Sequence, residues 1–255
     1  MAPSAARSFL HADYKLVDEA LIIIPVDNAE YTQDATNLYL DAAGFDGGTL
    51  DDAVNMPEVV AGGTLDDAVN KGVQQLVTEV ESDYQAGDLS PTDPLYIFGY
   101  SQSSVVMGMA EQQLHDYGIP QEDLNLVMVG DSASAEGGFL NSFVDSLPSW
   151  LQPSVIEAFK EFGASDVLGA TTPDNLYPTE VYSLSGDGWV NYDGGLNDLG
   201  MYSDHREYLG LTPAEIATAG PPVIDGLTQY FTIQDSMVNS LEALWTQLQM
   251  AVSVF

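Results

Sequence analysis

Short apolar runs alternate with longer stretches of helical periodicity along the first half of the chain. Apolar runs of about four to eight residues are typical of strands buried on both faces, and apolar residues that recur every three to four positions are typical of helices. This alternation predicts a parallel sheet with helices packed on its faces. The predicted strands are residues 20–26, 94–98 and 124–129, and the predicted helices are residues 30–43, 64–84 and 105–117.

Local start and stop signals support two of these helices. Thr64 stands where an N-cap is expected, and Asp67 follows at the N3 position. Gly118 and then Pro120 end the later helix, at residues 105–117, by the usual order of glycine before proline.

The second half of the chain begins with a segment that breaks the alternation. Residues 133–178 carry many large apolar side chains at helical spacing, among them Phe143 and Trp150. We predict a helical, lid-like insertion that overhangs the carboxyl ends of the strands, where ligands bind, and that contacts substrate through these two residues. Packing of the same side chains against the sheet as core is the alternative. Beyond it the pattern predicts a strand at 179–185, short helices at 204–209 and 213–219, and a C-terminal helical segment at 220–255 with an amphipathic helix at 235–252.

A direct repeat stands out in the first half. The sequence GGTLDDAVN occurs at residues 47–55 and again at 62–70. Two copies are too few for a solenoid, so we interpret the repeat as a local duplication in a loop, with the second copy leading into a helix.

Length and charge limit the number of domains and the classes of binding partner that we expect. The length of 255 residues suits a single α/β domain over residues 1–255, and 39 acidic against 5 basic residues give a net charge of −34. Nucleic-acid binding needs clustered lysine and arginine, so it is not expected, and neither is adhesion to an anionic membrane. The acidity predicts a solvated surface, with adaptation to high salt or to an acidic niche as the alternative.

Metal, cofactor and membrane signals are weak. The chain has no cysteine and three scattered histidines, so we predict no metal centre and no cofactor. Acidic pairs such as Asp66 with Asp67 and Asp51 with Asp52 are interpreted as helix starts, with loose Ca²⁺ binding as the alternative. No apolar stretch reaches 18 residues and no signal peptide is visible, so stable membrane insertion is not expected, and the oligomeric state is not indicated.

The chemistry-bearing motif is Gly99-Tyr-Ser-Gln-Ser103, between a predicted strand and a predicted helix. A nucleophile elbow needs this context, with small residues two positions before and after the serine. Gly99 and Ser103 are small, so Ser101 is the predicted nucleophile, although a second glycine is the commoner residue at position 103. The backbone N–H of Gln102 is the expected oxyanion donor.

A serine nucleophile needs a base and an acid, which follow it in the order acid and then histidine in α/β-hydrolases. His115 lies on the helix that follows Ser101, too far along it to reach the serine, and His11 precedes the first strand, so elimination leaves His205 as the base. The predicted acid is Asp187, which follows the strand at 179–185; Asp131, Asp193, Asp198 and Asp204 are competitors. The second oxyanion donor is expected after the first strand, at Val26 or Asp27.

The motif Phe98-Gly-Tyr-Ser-Gln-Ser-Ser-Val-Val106 resembles the serine motif of the PE-PPE domain family, cutinase-like α/β-hydrolases of mycobacteria and relatives, in which a serine replaces the second glycine. Residues 177–192 and 204–211 resemble the acid and histidine regions of that family. The resemblance implies an α/β-hydrolase fold, a triad of Ser101, Asp187 and His205, and a secreted or envelope-associated setting. The loop at residues 25–28 departs from the Gly/Thr-rich loop of the family, and cutinases and phage mycolyl-ester hydrolases share the G-Y-S-Q motif.

Three functions follow from this interpretation. The first is hydrolysis of acyl or lipid esters, with Tyr100, Phe143 and Trp150 as expected substrate contacts. The second is acyl transfer to a sugar or glycolipid by the same triad, and the third is an inactive binding or surface protein on the same fold.

Overall fold

The core of the molecule is a twisted, mostly parallel sheet. The computed structural model describes residues 19–24, 29–45, 49–55, 63–192, 200–201 and 203–234. Within them, seven strands pair in the order β2-β1-β3-β4-β5-β7-β6, and every neighbouring pair is parallel except β6 with β7. The strands are β1 Glu19–Ile24, β2 Thr49–Asn55, β3 Leu95–Tyr100, β4 Leu124–Val129, β5 Thr179–Leu184, β6 Val223–Asp225 and β7 Thr228–Ile233.

Helices cover the sheet and connect its parallel strands. The first helical stretch runs as α1, a π-helical turn and α2, and it ends at Gly44, whose φ of 107° is the left-handed conformation that glycine adopts without strain. The helical elements are α1 Ala29–Ala35, the π turn Thr36–Leu40, α2 Asp41–Ala43, α3 Leu65–Ala86, α4 Gln102–Tyr117, α5 Phe139–Ser146, α6 Gln152–Glu161 and α7 Pro213–Ile216, with short 3₁₀ turns at Asp204–Arg206 and Tyr208–Gly210.

Alternate residues of β1, β3, β4, β5 and β7 enter two separate cores. In β3, Leu95 and Ile97 face the core that α3 and α4 cover, whereas Tyr96 and Phe98 face the core that holds Tyr39. This period of two follows from the pleat of the strand. Both faces of the central strands β3 and β4 are therefore buried, which explains why these strands are mostly apolar runs.

The predicted start and stop signals are present. Thr64 caps α3 and its hydroxyl accepts a hydrogen bond from the N–H of Asp67 at 3.0 Å. Gly118 ends α4 in the left-handed conformation. The α/β-hydrolase arrangement, a parallel sheet with flanking helices, is confirmed.

Two sequence interpretations are wrong. The first copy of the repeat is not a loop, because Thr49–Asn55 forms the edge strand β2 and places Asp51 and Asp52 in a strand instead of a helix start. The C-terminal segment is not helical from residue 220, since β6 and β7 form an antiparallel hairpin there. Its turn contains Gly226 at φ 55°, and aromatic and β-branched residues in β7 favour the strand. The amphipathic helix predicted at 235–252 lies outside the described residues.

The insertion at residues 133–178 contains two helices, α5 and α6, and it is partly core. Leu140, Ala164 and Val167 are buried in the core that α3 and α4 cover. Trp150 and Phe162 of the same insertion are 78% and 81% exposed. The insertion therefore has one face against the body of the protein and one face in solvent. No helix among the described residues is long and apolar enough to cross a membrane.

Candidate active site

A sharp turn joins β3 to α4 at Ser101. The strand ends at Tyr100 and the helix begins at Gln102, so one residue makes the whole connection. Ser101 has φ 57° and ψ −119°, and among the described residues it is the one non-glycine residue with positive φ. Such strain persists where the surrounding structure imposes it, and it projects the serine hydroxyl from the edge of the sheet.

The residues on either side of the serine close the turn. A Cβ on Gly99 would lie 2.4 Å from the Met107 sulfur and 2.9 Å from the Ser103 carbonyl carbon, so no side chain fits there. The Ser103 hydroxyl donates to the carbonyl of Tyr100 at 2.8 Å and accepts from the N–H of Tyr100 at 3.0 Å. Ser103 thus replaces the commoner glycine with a side chain that bonds to the turn itself.

The structure brings the three predicted residues together. Ser101 Oγ lies 2.7 Å from His205 Nε2, and His205 Nδ1 lies 2.7 Å from Asp187 Oδ2. The Asp187 side chain is fully buried and that of His205 is 14% exposed. An acceptor at Nδ1 places the proton on that nitrogen and leaves Nε2 free to accept the proton of the serine.

A tyrosine that the sequence did not indicate supports the acid. The Tyr208 hydroxyl donates to Asp187 Oδ2 at 2.9 Å and accepts from the N–H of Leu184 at 2.8 Å. The N–H of Trp189 donates to the other carboxylate oxygen at 2.9 Å. Burial raises the pKa of Tyr208 well above its ordinary value, so the hydroxyl keeps its proton and stays a donor.

A second tyrosine holds the histidine. The Tyr100 hydroxyl donates to the carbonyl oxygen of His205, and burial raises the pKa of Tyr100 well above its ordinary value. The N–H of His205 donates to the Gly200 carbonyl at 3.1 Å. Tyr100 was predicted to contact substrate, but it is not among the residues that line the cavity described below, and its hydroxyl serves the histidine loop.

The competing acids and histidines lie elsewhere or outside the described residues. Buried Asp131 accepts hydrogen bonds from Thr172 and from the N–H of Ala133, and Asp204 accepts from the adjacent Ser203 hydroxyl. His115 is 54% exposed near the far end of α4. Five candidates from the sequence lie outside the described part of the chain: His11, Asp193 and Asp198, and the two further oxyanion candidates, Val26 and Asp27.

Gln102 is the described oxyanion candidate. It is the first residue of α4 and directly follows Ser101, so its N–H belongs to the positive end of a helix of 16 residues. It also lines the cavity at the site.

An apolar cavity of about 340 Å³ opens beside the serine. Its apolar walls come from α3, α4, the insertion and two further residues, Trp189 and Met201, and Ser101 and His205 lie in its lining. The aliphatic lining residues are Leu65, Val69, Val105, Leu140 and Val167.

The insertion contributes to this cavity through residues other than the predicted ones. Trp150 lies in the turn between α5 and α6 and points to solvent, and Phe143 packs on Phe139, Phe159 and Tyr192. Neither Trp150 nor Phe143 lines the cavity, because helical spacing shows that a residue is apolar but not which face it presents, and their contact with substrate stays a prediction. Leu140 and Val167 are the lining residues that the insertion supplies.

One carboxylate fastens the insertion to the body of the protein. Asp66, in the first turn of α3, accepts bonds from the N–H groups of Ser165, Asp166 and Val167 at 2.7, 2.9 and 3.3 Å. The N–H of Asp66 in turn donates to the Gly163 carbonyl at 2.9 Å. Val167, a wall of the cavity, is therefore fixed to the helix that supplies Leu65 and Val69. Among the described residues no cluster of side chains suited to a metal ion is present, Asp66 and Asp67 included.

The fold and this turn define an α/β-hydrolase: Ser101 follows β3, Asp187 follows β5, and the carboxyl ends of parallel strands meet at one edge of the sheet. Comparison with known proteins gives the family. The model of the PE-PPE domain matches residues 49–194, and the chain belongs to the PE-PPE domain family.

The chain is similar to an uncharacterized PPE family protein, PPE28, of Mycobacterium tuberculosis, with 28% identity over 239 residues that cover 86% of this chain. The chain spans about a third, 33%, of the length of that relative. It is also similar to a cutinase-like protein from Cryptococcus sp. (16% identity, 76% of this chain and 95% of that one, TM-score 0.39). A similar likeness is found to the type II thioesterase BorB from the borrelidin biosynthetic cluster (15% identity, 92% and 90%, TM-score 0.39).

Proposed function

We propose that the protein is a serine carboxylester hydrolase that cleaves acyl esters through an acyl-enzyme on Ser101. The observation that carries the proposal is the hydrogen-bonded chain from Ser101 through His205 to buried Asp187, with 2.7 Å at each step, at the mouth of an apolar cavity. The strained turn at Ser101 supports it, because such strain clusters at functional positions.

In this mechanism His205 Nε2 takes the proton of the Ser101 hydroxyl as Oγ attacks the ester carbonyl. The oxyanion that forms lies at the N-terminus of α4, where the N–H of Gln102 is the candidate donor. Collapse of the tetrahedral intermediate breaks the bond to the alcohol, and the imidazolium returns its proton to the leaving oxygen. Water then repeats these steps and releases the carboxylic acid.

The acyl chain is proposed to occupy the cavity lined by the aliphatic residues of α3, α4 and the insertion. Burying a methylene contributes about 0.8 kcal/mol. A methylene takes roughly the volume of a water molecule, about 30 Å³, so a cavity of about 340 Å³ has room for on the order of ten such groups. We therefore expect kcat/KM to rise with acyl length over several methylenes before it levels off.

A histidine pair tests the proposal. His205→Ala should lower ester turnover by several orders of magnitude, since the nucleophile loses its base. The matched variant His115→Ala removes an exposed histidine on α4 and should keep wild-type turnover. Equal activity of the two variants on a panel of acyl esters from acetate to decanoate would contradict the proposal. The products distinguish the acceptors: free acid indicates water, and a new ester in the presence of a sugar indicates acyl transfer.

A further inference from the structure

Arg206 lies beside the proposed base in a chain that has very few cations. The whole sequence holds five lysines and arginines against 39 acidic residues. Three of those five fall within the described residues, and Arg206 is the one among them that lines the cavity with Ser101 and His205. It is fixed there by the 3₁₀ turn Asp204–Arg206, whose N–H at Arg206 donates to the Ser203 carbonyl at 3.0 Å.

The guanidinium of Arg206 is not used in an ion pair within the described part of the chain. The ion pairs there are Lys160 with Glu157, His115 with Asp116, and His205 with Asp187. In a protein with a net charge of −34, an arginine without an ion pair to any described carboxylate can offer its donors to a ligand. Guanidinium groups match carboxylate, sulfate and phosphate oxygens in a planar, two-bond geometry.

The position of Arg206 next to the histidine defines which part of an ester it meets. The proton that His205 accepts from Ser101 must be returned to the leaving oxygen, so the alcohol portion of the substrate lies against the His205 turn. Most of the aliphatic walls come from other elements, namely α3, α4 and the insertion, and suit the acyl portion. Trp189, which follows β5, and Met201, which precedes the His205 turn, complete the apolar lining.

We propose that Arg206 binds an oxyanion carried by the alcohol portion of the substrate, so that the preferred substrates are acyl esters of anionic alcohols. This inference rests on the proposed hydrolase function. The acidic surface repels an anionic ester in general, and the Arg206 cation in the cavity lining supplies the attraction locally. Arg206 is thereby a residue that sets substrate specificity.

A matched pair of esters tests the inference. Butyrate esters of 3-hydroxypropanesulfonate and of neutral propane-1,3-diol differ in one anionic group and share the acyl chain. The measured quantity is the ratio of kcat/KM for the anionic ester to that for the neutral ester. In Arg206→Gln this ratio should fall roughly tenfold, as expected for loss of one hydrogen-bonded charge contact. Because the ratio is internal to each variant, a change in the amount of active protein cancels.

Two controls complete the design. Lys160→Gln removes the same charge from an exposed residue of α6 and should leave the ratio at its wild-type value. Butyrate esters of alcohols of the same length that carry a phosphate or a carboxylate group in place of the sulfonate identify which oxyanion is preferred. A wild type that cleaves both esters with a ratio that Arg206→Gln does not change overturns the inference and leaves the hydrolase proposal standing. A wild type that cleaves neither ester overturns the hydrolase proposal itself.

Discussion

The buried carboxyl group of Glu111, on the helix that follows Ser101, allows a test of how burial shifts the pKa of an acid in this protein. Its side chain, on α4, is fully buried, and neither carboxylate oxygen has a hydrogen-bond partner among the described residues. Burial, with a smaller contribution from the charges of Asp131 and Asp174, raises the pKa of Glu111 from 4.5 to about 9. The folded protein therefore keeps this proton over a pH range in which the unfolded chain has lost it, and the stability contributed by the group falls as pH rises from about 4.5 to about 9.

Proton linkage gives the size of this change in the free energy of unfolding. Each pH unit within that range costs about 1.4 kcal/mol of unfolding free energy, so a rise from about pH 5.5 to about pH 7.5 costs about 3 kcal/mol. Glu111→Gln has a similar shape and no proton to lose. We expect the free energy of unfolding of this variant to fall less than that of wild type between the two pH values, by about 3 kcal/mol.

Urea denaturation followed by tryptophan fluorescence at the two pH values measures this difference. Glu79→Gln, at an exposed position on α3, is the control and should follow the wild-type pH dependence. Other titrating groups, including Asp131, are common to the variants and cancel in the comparison. Parallel pH dependence of wild type and Glu111→Gln would refute the argument that Glu111 is buried as the neutral acid.

Three further predictions concern the site. Tyr208→Phe should lower kcat about tenfold with little change in KM, because it removes a hydrogen bond that orients Asp187. Tyr177→Phe removes another buried hydroxyl and should keep wild-type kcat, so equal kcat values for the two variants would contradict the role of Tyr208. Val69→Phe should fill the cavity and move the optimum of kcat/KM toward shorter acyl chains; the same optimum in this variant as in the exposed Ile156→Phe would remove the cavity as the acyl site. Asp66→Asn should weaken the bonds to the insertion and raise KM for the longest esters several-fold, and an unchanged KM would show that this contact does not shape the cavity.

The parts of the fold that local signals specify were predictable. The strand predicted at residues 124–129 is β4, with the same bounds. Five of its six residues are apolar, and turn-forming residues stand on either side, with Gly118 and Pro120 before it and Gly130 after it. The N-cap Thr64 and the C-cap Gly118 bond only to residues within about one helical turn, so the local sequence is enough to predict them.

The repeat shows where local information ends. The heptapeptide TLDDAVN forms β2 at Thr49–Asn55, and its second copy lies at residues 64–70, where Thr64 caps α3 and the next six residues begin the helix. Identical residues adopt two structures, so local propensity did not decide between them. The first copy pairs in parallel with β1 at the edge of the sheet, whereas the second begins a helix of 22 residues with an apolar face on the core.

The site was predictable in its order along the chain and less so in its surroundings. Ser101, Asp187 and His205 follow from the elbow pattern and from having few histidines to choose among, and their catalytic roles stay predictions. The supporting bonds of Tyr208 and Tyr100 join segments that meet only in the folded chain. Tyr208 carried one indirect signal, its place three residues after the predicted base.

Covalent labelling tests whether Ser101 is the nucleophile of the protein. Wild-type protein is treated with a fluorophosphonate, digested, and mapped by mass spectrometry, beside Ser101→Ala and Ser132→Ala. Ser132 also lines the cavity but lies on no elbow, so it controls for general reactivity. We predict a single adduct on Ser101 in wild type and in Ser132→Ala, and no adduct in Ser101→Ala. Undiminished labelling of Ser101→Ala, or an adduct on another serine of the wild type, would contradict it.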